Sequence, residues 1–379
     1  MPMELPFFPP DLFADDRKVM LELLWEIGTG REQKFILGER TAHFEALLRE
    51  SLGAADVVAC GSGTAALGLV LRAMDIGPGD EVVVPAFGCA PLASSALEVG
   101  AKPVFADVAP HTMVVDPDDV ERRITDRTKA IMPAHMFSIM ADMPRFVELA
   151  AKYGLRLLED SAVAQGAVLD GTSAGLWGDA GVFSFVQVKS FGMPGEGGAV
   201  VTRDPELGRK VRMLRNHGQN RRRFIYEIVG TNSRFDEIQA AFQTYRFAGL
   251  PARLERRAAI ADYYTERFSG LDGRGVVLPP PSGREGRCYY VYCVQAEERD
   301  ELRDHLAKRG IGSHVYYPQP LPLQAGFAPH APAGGRWPNA EYASRRILAL
   351  PIYPHLSDSE VTYIADAVCD FAAEEGVSH

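Results

Sequence analysis

A lysine, an aspartate and a glycine-rich turn are the parts of this sequence whose types and spacing could do chemistry together. Lys189 lies between the apolar segment 181–185 and the glycine-rich segment 192–198. A lysine held among apolar neighbours is an amine nucleophile that can bond to a carbonyl carbon. Taken alone, this segment fits a lysine that opens a solvated loop better than it fits a nucleophile. The interpretation therefore depends on the other two groups.

The glycine-rich turn at residues 61–67 has the chemistry of an anion site. It follows a short apolar strand predicted at residues 57–60 and opens a predicted helix. Backbone N–H groups and the helix dipole then point at one place, and the Thr64 hydroxyl lies beside them. We call residues 61–67 the phosphate cup.

The phosphate cup also matches the Gly-x-Gly-x-x-Ala form of the dinucleotide-binding fingerprint. A dinucleotide site requires an acidic residue at the end of the following strand, where it binds a ribose. Here the acidic residue, Glu81, precedes the next apolar strand, residues 82–84. The lysine of a nucleotide-binding P-loop is missing as well. The turn is therefore interpreted as a site for a single phosphate group.

Asp160 ends one strand in a regular alternation of predicted strands and helices between residues 57 and 160. This alternation predicts a mainly parallel sheet with helices on both faces. Ligands of such sheets bind at the carboxyl ends of strands, where Asp160, Lys189 and the phosphate cup would meet. Two alternatives stay open: Asp160 as a helix N-cap, and Ser184 as a strand hydroxyl satisfied by the backbone.

The sequence changes character at about residue 250. A long helix rich in arginine and glutamate is predicted at residues 251–268, and a proline run follows. Strands are predicted at residues 289–294 and 313–317, before a closing helix. We expect a large domain over residues 1–249 and a smaller α+β domain over residues 250–379.

Composition argues against several classes of protein. The 379 residues carry a net charge of −10, which disfavours a nucleic-acid partner. No apolar run approaches the length of a membrane span, and the first residues lack the features of a signal peptide. The five cysteines form no Cys-x-x-Cys pair, so neither a zinc site nor a disulfide framework is indicated. We expect a cytoplasmic protein without a metal.

A phosphate cup, a lysine and an aspartate at strand ends are together the parts needed to hold pyridoxal 5′-phosphate. The lysine forms a Schiff base with the aldehyde of the cofactor. The aspartate keeps the pyridine nitrogen protonated, so that the ring can accept electrons from a carbanion. Each part alone is ambiguous, and their combination favours this cofactor.

The sequence resembles the DegT/DnrJ/EryC1/StrS family of sugar aminotransferases from about Phe35 to the last helix. The resemblance implies a fold-type I architecture: a large α/β domain with a mainly parallel sheet of the seven-stranded type, flanked by helices, and a smaller C-terminal α+β domain. The segments that carry the resemblance are 61–67, 79–85, 141–143, 159–160, 183–185, 189, 195–198, 215–218, 230–234, 310–311 and 350–351.

The resemblance implies roles for individual residues. Lys189 would be the catalytic lysine that forms the Schiff base, and Asp160 would bind the pyridine nitrogen. Asn232, with Arg234 beside it, would reach the phosphate of the neighbouring subunit's cofactor, which requires a homodimer with shared active sites. The residues expected around the phosphate are Gly63, Thr64, Ala65 and Ser184.

Three positions depart from the family's pattern around the cofactor ring. Cys89 stands where an aromatic residue usually stacks on the ring, so either its sulfur or the nearby Phe87 would take that role. Val163 stands where a polar residue usually contacts the ring hydroxyl, and Gln165 lies two positions later. Val186 replaces another polar residue.

The implied reaction is an amino transfer in two stages. Glutamate or glutamine would convert the cofactor to pyridoxamine 5′-phosphate. The amine would then pass to a keto-sugar, typically one linked to a nucleotide, or to a keto-cyclitol, in the biosynthesis of an amino sugar or natural product. Lys189 would take the proton from the α-carbon of the donor and return it to a carbon of the cofactor, as general acid and base.

Several residues are candidates for holding the acceptor. Arg222 lies in the basic run 221–223, which could meet a nucleotide diphosphate, and a solvated basic loop is an equal alternative. His217 and Tyr316 are further candidates, with a structural histidine and a packed strand residue as the alternatives.

Two other functions fit the same family. A dehydratase that acts on deoxy-sugars with this cofactor would carry histidine in place of Lys189. A non-catalytic regulator would be expected to have lost the lysine or the phosphate cup. Both features are present, which favours the aminotransferase.

Overall fold

The computed structural model describes residues 4–31, 33–137, 139–220, 222, 224–280 and 283–375. In chain order the strands are β1 Asp56–Cys60, β2 Glu81–Pro85, β3 Lys102–Ala106, β4 Thr128–Ile131, β5 Arg156–Asp160, β6 Val168–Leu169, β7 Thr172–Ser173, β8 Ala180–Ser184, β9 Gly198–Thr202, β10 Val276–Val277, β11 Tyr292–Ala296 and β12 Ile347–Leu350. The helices are α1 Arg17–Thr29, α2 Glu39–Leu52, α3 Gly63–Ala73, α4 Pro91–Glu98, α5 Pro117–Arg123, α6 Met143–Tyr153, α7 Pro205–Leu214, α8 Glu237–Ala248, α9 Leu250–Arg267, α10 Arg299–Lys308, α11 Pro338–Arg346 and α12 Asp358–Glu375.

Seven strands form the central sheet, in the order β1-β9-β8-β5-β4-β2-β3. The pairs from β8 to β3 are all parallel, whereas β9 is antiparallel to both of its neighbours, β1 and β8. The predicted fold class, a mainly parallel sheet of seven strands flanked by helices, is therefore confirmed.

Helices cover both faces of this sheet, which explains why its strands are apolar at successive positions. Side chains alternate between the two faces of a strand. Val58 of β1 packs in a core that includes residues of α3, α4 and α7, whereas Val57 packs on the other face with Phe44 of α2 and Phe242 of α8. Strands buried on both sides show no polar–apolar alternation in their sequence.

The sheet brings the ends of three strands to one edge. Gly198 of β9 pairs with both Cys60 of β1 and Ser184 of β8, so the carboxyl ends of these two strands lie at one level. The neighbouring strand β5 ends at Asp160, which pairs with Val182. The phosphate cup, Asp160 and the segment leading to Lys189 therefore leave the sheet on the same side.

A second sheet of three antiparallel strands, β10-β11-β12, lies in the C-terminal part of the chain. Helices α9, α10 and α12 contribute to its core, which also includes Leu5 from the start of the chain. The backbone of Leu5 accepts a hydrogen bond from Gly312 and donates one to Gly310. The first described residues therefore pack with the last third of the chain.

Two of the predicted C-terminal strands differ from the structure. The strand predicted at residues 289–294 begins at Tyr292, as β11. The strand predicted at residues 313–317 is wrong, because this segment forms only a single bridge, between His314 and Ala349. Tyr317 has a φ of +50°, which an extended strand does not allow.

Within the part of the chain that the structure describes, no helix combines the length and the apolar character that crossing a membrane requires.

Candidate active site

Lys189 follows β8 on a tight turn. Its backbone N–H donates to the carbonyl of Val186, at 2.9 Å, and its carbonyl accepts from Gly192, also at 2.9 Å. A Cβ atom at Gly192 would collide with the carbonyl of Gln187, so the turn requires glycine there. The Lys189 Nζ lies 4.3 Å from the centre of the Tyr290 ring. An aromatic face thus holds the lysine amine at the end of β8.

Asp160 is a buried carboxylate that is only partly satisfied. One of its oxygens accepts the N–H of Ala162, at 3.1 Å. Burial raises the pKa of Asp160, while the Ala162 N–H and the Lys189 charge act in the opposite direction. Among the described residues, no lysine, arginine or histidine nitrogen forms an ion pair with it. The predicted alternative of a helix N-cap is wrong, because turns rather than a helix follow Asp160.

The phosphate cup lies at the N-terminus of α3, as predicted. Ser62 caps this helix, and its hydroxyl accepts the N–H of Ala65 at 3.0 Å. A Cβ atom at Gly63 would lie 3.0 Å from the Cβ of Ser184, so the cup and Ser184 are neighbours. Thr64 follows in the first turn of the helix. An anion in the cup would compete with Ser62 for the N–H of Ala65.

Gln165 joins the turn after Asp160 to the end of β8. Its side-chain NH₂ donates to the carbonyls of Ser184, at 2.9 Å, and Ala162, at 3.2 Å. Its amide oxygen is buried and has no hydrogen-bond partner among the described residues. Val163, which lies between Ala162 and Gln165 in sequence, packs against the apolar core.

Phe87 and Cys89, the two residues expected to contact the cofactor ring, lie in a cluster with other aromatic side chains. Phe87 is wholly buried and stacks on Phe137, with a centroid distance of 5.2 Å, so it presents no face to a ligand. The stacking role of Phe87 stays a prediction, and this packing does not favour it. The Tyr317 ring packs edge-on against Phe87 at 5.7 Å, and Cys89 and Tyr317 both pack against the same core. Cys89 also interacts electrostatically with Asp160.

The Cys89 thiol is expected to be unreactive. Burial raises its pKa to about 12, the Asp160 charge adds to the rise, and Lys189 and the Tyr317 hydroxyl oppose it. Because the thiolate is the nucleophile, a raised pKa leaves little of it at pH 8. Alkylation of Cys89 by iodoacetamide should be at least about 100-fold slower in the folded than in the unfolded protein. Peptide mass spectrometry would measure both rates, and equal rates would contradict the expectation.

Tyr316 belongs to the same group of residues as Lys189. Its hydroxyl lies 3.1 Å from that of Tyr290, the ring under the lysine amine. His314 packs edge-on against the Tyr316 ring at 4.7 Å and stacks on Phe7 at 5.5 Å. Tyr290 was not singled out from the sequence, where it looks like part of a strand.

The other predicted substrate residues lie around a cavity of about 810 Å³ that is separate from Lys189, and we call it the second cavity. His217, Arg222 and Arg234 line it. The residues around the lysine do not, and we call them the Lys189 group: Asp160, Ser184, Lys189, Tyr290 and Tyr316. Asn232 accepts a hydrogen bond from Arg234, at 2.9 Å. Arg221 and Arg223, the rest of the basic run, lie outside the described residues. The further lining residues are Lys34, Ile36, Leu37, Asn216, Gln219, Asn220, Phe224 and Tyr226.

The residues at the sheet edge fit pyridoxal phosphate. A buried carboxylate without an ion-pair partner suits a protonated ring nitrogen, and a helix N-terminus beside a serine suits a phosphate. The described residues contain no cluster of three or more potential metal ligands.

Comparison with known proteins finds a family match over most of the chain. Residues 27–369 match the model of the DegT/DnrJ/EryC1/StrS aminotransferase family. The chain is 38% identical to a pleiotropic regulatory protein of Geobacillus stearothermophilus, over 90% of this chain and 91% of the relative. It is 40% identical to UDP-N-acetyl-3-dehydro-α-D-glucosamine 3-aminotransferase of Acidithiobacillus ferrooxidans, over 94% and 96%.

A solved structure resembles the chain over nearly its whole length. It is the crystal structure of NtdA from Bacillus subtilis with the bound cofactor PMP, pyridoxamine phosphate. The TM-score is 0.91 at 29% sequence identity, covering 98% of this chain and 85% of the other. The chain therefore belongs to the DegT/DnrJ/EryC1/StrS aminotransferase family, and it is an aminotransferase that uses pyridoxal phosphate.

Proposed function

We propose that this enzyme moves an amino group from glutamate or glutamine to carbon 3 of a nucleotide-linked keto-sugar, in the biosynthesis of an amino sugar. The observation that carries the proposal is the convergence of Lys189, Asp160 and the phosphate cup at three strand ends. The name of the Acidithiobacillus relative supports both the nucleotide-linked sugar and the carbon.

The residues at the sheet edge divide the work of this reaction. Pyridoxal phosphate, when bound, supplies an aldehyde that takes up the amino group and a ring that accepts electrons. The Lys189 Nζ would anchor the cofactor and, when free, would take a proton from the α-carbon of the donor and deliver it to the aldehyde carbon of the cofactor, on the other side of the nitrogen. The Asp160 carboxylate accepts the N–H of the ring. The start of α3, with Thr64 and Ser184, holds the phosphate.

The residues that line the second cavity suit the nucleotide part of a nucleotide-linked acceptor. Lys34, Arg222 and Arg234 bring three cationic side chains to it, which suits a diphosphate. Phe224 and Tyr226 add aromatic rings that suit a base. We propose that the nucleotide binds there and that His217 contributes a hydrogen bond, while Tyr316 contacts the sugar near Lys189.

We further propose a homodimer in which Asn232 serves the cofactor site of the partner. Two segments expose large apolar side chains to an extent that marks interaction sites: Trp25 of α1 is 75% exposed, and Val229, near Asn232 in sequence, is 85% exposed. Both would be covered by a second copy of the chain.

The domain division and the compartment also stay proposals. We propose that the chain divides between residues 249 and 250, where α8 ends and α9 begins. We also propose that the protein works in the cytoplasm, because its five cysteines are free thiols, as a reducing compartment keeps them.

A cofactor-trapping experiment tests the site. The purified protein with pyridoxal phosphate should be yellow, and borohydride should fix a pyridoxyl group on Lys189, read by peptide mass spectrometry. The pyridoxamine form should then aminate UDP- or dTDP-linked 3-keto-sugars faster than the 4-keto isomers or keto-cyclitols. A colourless protein would overturn the site assignment, and faster turnover of a 4-keto-sugar would overturn the choice of carbon.

A regulator is the second candidate function, because one relative bears that name. A regulator would bind the cofactor and a sugar nucleotide without turnover. Single-turnover mass spectrometry of the pyridoxamine form separates the two functions, since only the aminotransferase yields an amino-sugar.

A further inference from the structure

Glu159 is a wholly buried carboxylate that the proposed reaction leaves without a task. It precedes Asp160 on β5, so the two side chains point to opposite faces of the sheet. Its oxygens accept three backbone N–H groups, from Gly175 at 2.8 Å, Trp177 at 2.6 Å and Gly178 at 2.9 Å. A carboxylate that receives only donors holds no proton, so Glu159 carries a full negative charge.

The fourth partner of Glu159 is the ring of His135, which is equally buried. The Nε2 of His135 lies 3.1 Å from a Glu159 oxygen. The other ring nitrogen, Nδ1, accepts the N–H of Ala141 at 3.2 Å. Nδ1 therefore keeps its lone pair, and Nε2 carries the hydrogen that binds Glu159. The histidine is held as one neutral tautomer, and the pair keeps a net negative charge.

The segment that carries His135 also fixes the backbone of Asp160. The N–H of His135 donates to the carbonyl of Asp160 at 3.0 Å, and the N–H of Asp160 donates to Pro133 at 2.9 Å. His135 and the Glu159–Asp160 pair are thus joined twice, once through backbone and once through side chains. Asp160 cannot shift along the sheet without breaking a buried hydrogen bond of Glu159.

The loop that binds Glu159 is built for close approach. Gly175 has a φ of +87°, and a Cβ atom there would lie 2.8 Å from Val201. A Cβ atom at Gly178 would collide with the carbonyl of Leu157. Both glycines let the loop press its N–H groups onto the carboxylate, which makes the negative charge of Glu159 a built feature of the fold.

We propose that Glu159 and His135 are positioning residues for Asp160: they hold its carboxylate in line with the ring nitrogen and place a second negative charge behind it, so that the nitrogen is bound protonated. This proposal rests on the proposed role of Asp160. It differs from a role in general stability, because it concerns one atom of the cofactor.

A cofactor analogue whose ring nitrogen is replaced by C–H separates the two roles. Apo-protein would be titrated with pyridoxal phosphate and with this carbocyclic analogue, and both dissociation constants would be measured by absorbance. The parent should prefer pyridoxal phosphate. Glu159→Gln and His135→Leu should each reduce that preference by about tenfold or more, with little change in the affinity for the analogue.

Two further variants serve as controls. His135→Gln restores a donor toward Glu159 and should recover most of the preference that His135→Leu loses. Glu148→Gln removes the same charge from the exposed surface of α6 and should leave the preference unchanged. If Glu159→Gln does not fold, the two His135 variants carry the test.

Each outcome either supports the positioning role of Glu159 and His135 or overturns it. Variants that weaken both ligands equally show a merely structural role and overturn the proposal, as do variants with an unchanged preference. A parent that does not distinguish the two ligands overturns the role of Asp160 in the proposed function, and this inference with it. That failure is seen in the parent alone, whereas failure of the inference is seen only in the variants.

Discussion

Replacing Lys189 with alanine is expected to lower kcat/KM for amino transfer by at least about 10⁴-fold, because one amine both anchors the cofactor and moves the proton. A general acid–base group alone accounts for factors of about 10² to 10⁴, and here the anchor is lost with it. The variant should still fold, since Lys189 is only half-buried and its Nζ contacts the face of Tyr290. Steady-state assays with glutamate and the keto-sugar would measure the loss.

The control for this prediction is Lys308→Ala, which removes an exposed lysine at the end of α10. It should leave kcat/KM within about twofold of the parent. Added methylamine should restore part of the activity of Lys189→Ala, because a small amine can take over the proton transfer. A Lys189→Ala variant that turns over at the parent rate would show that another group performs the catalysis.

The central sheet could be predicted from the sequence because its signals are local. The strand ending at Asp160 and the strand before Lys189 are short apolar runs bounded by turn residues. Such runs are typical of buried parallel strands. The phosphate cup is equally local, since its glycines, its Ser62 cap and its helix are consecutive. The convergence of the three groups then follows from the rule that ligands meet at strand ends.

The surroundings of the cofactor could not be predicted, because they depend on contacts between distant segments. Tyr317 packs against Phe87 across more than half the chain, and its φ of +50° breaks the strand that its neighbours predict. Phe87 resembles a stacking residue in sequence, yet Phe137 and Tyr317 enclose it. Nothing local marks Glu159 as the acceptor of three backbone N–H groups, since the loop that donates them begins 16 residues later.

The second cavity shows the same limit for the substrate residues. His217, Arg222 and Arg234 are close in sequence, and they line one cavity that shares no residue with the Lys189 group. Within one chain, the residues predicted to hold the acceptor and those predicted to hold the cofactor therefore lie in two separate places. We interpret this separation as the mark of an active site that is completed by a second subunit.

The subunit-sharing hypothesis predicts that two inactive variants restore each other. Lys189→Ala lacks the catalytic lysine, and Asn232→Ala lacks the residue proposed to reach the partner's cofactor. In a heterodimer of the two, one site carries both defects, while the other combines a native Lys189 with a native Asn232. Heterodimers purified with two different tags should therefore show about half of the parent activity, because a two-fold dimer has two equivalent sites.

The matched control pairs Lys189→Ala with Asp160→Asn, which changes a residue of the Lys189 group. Both defects then fall in sites that each chain builds for itself, so neither site of the heterodimer is native and no activity should return. Recovery in the first pair and none in the second requires that Asn232 acts across the interface. If the first pair stays inactive while Asn232→Ala alone is inactive, Asn232 serves its own chain, and the cavity lined by His217 and Arg234 would belong to the Lys189 site of the same subunit.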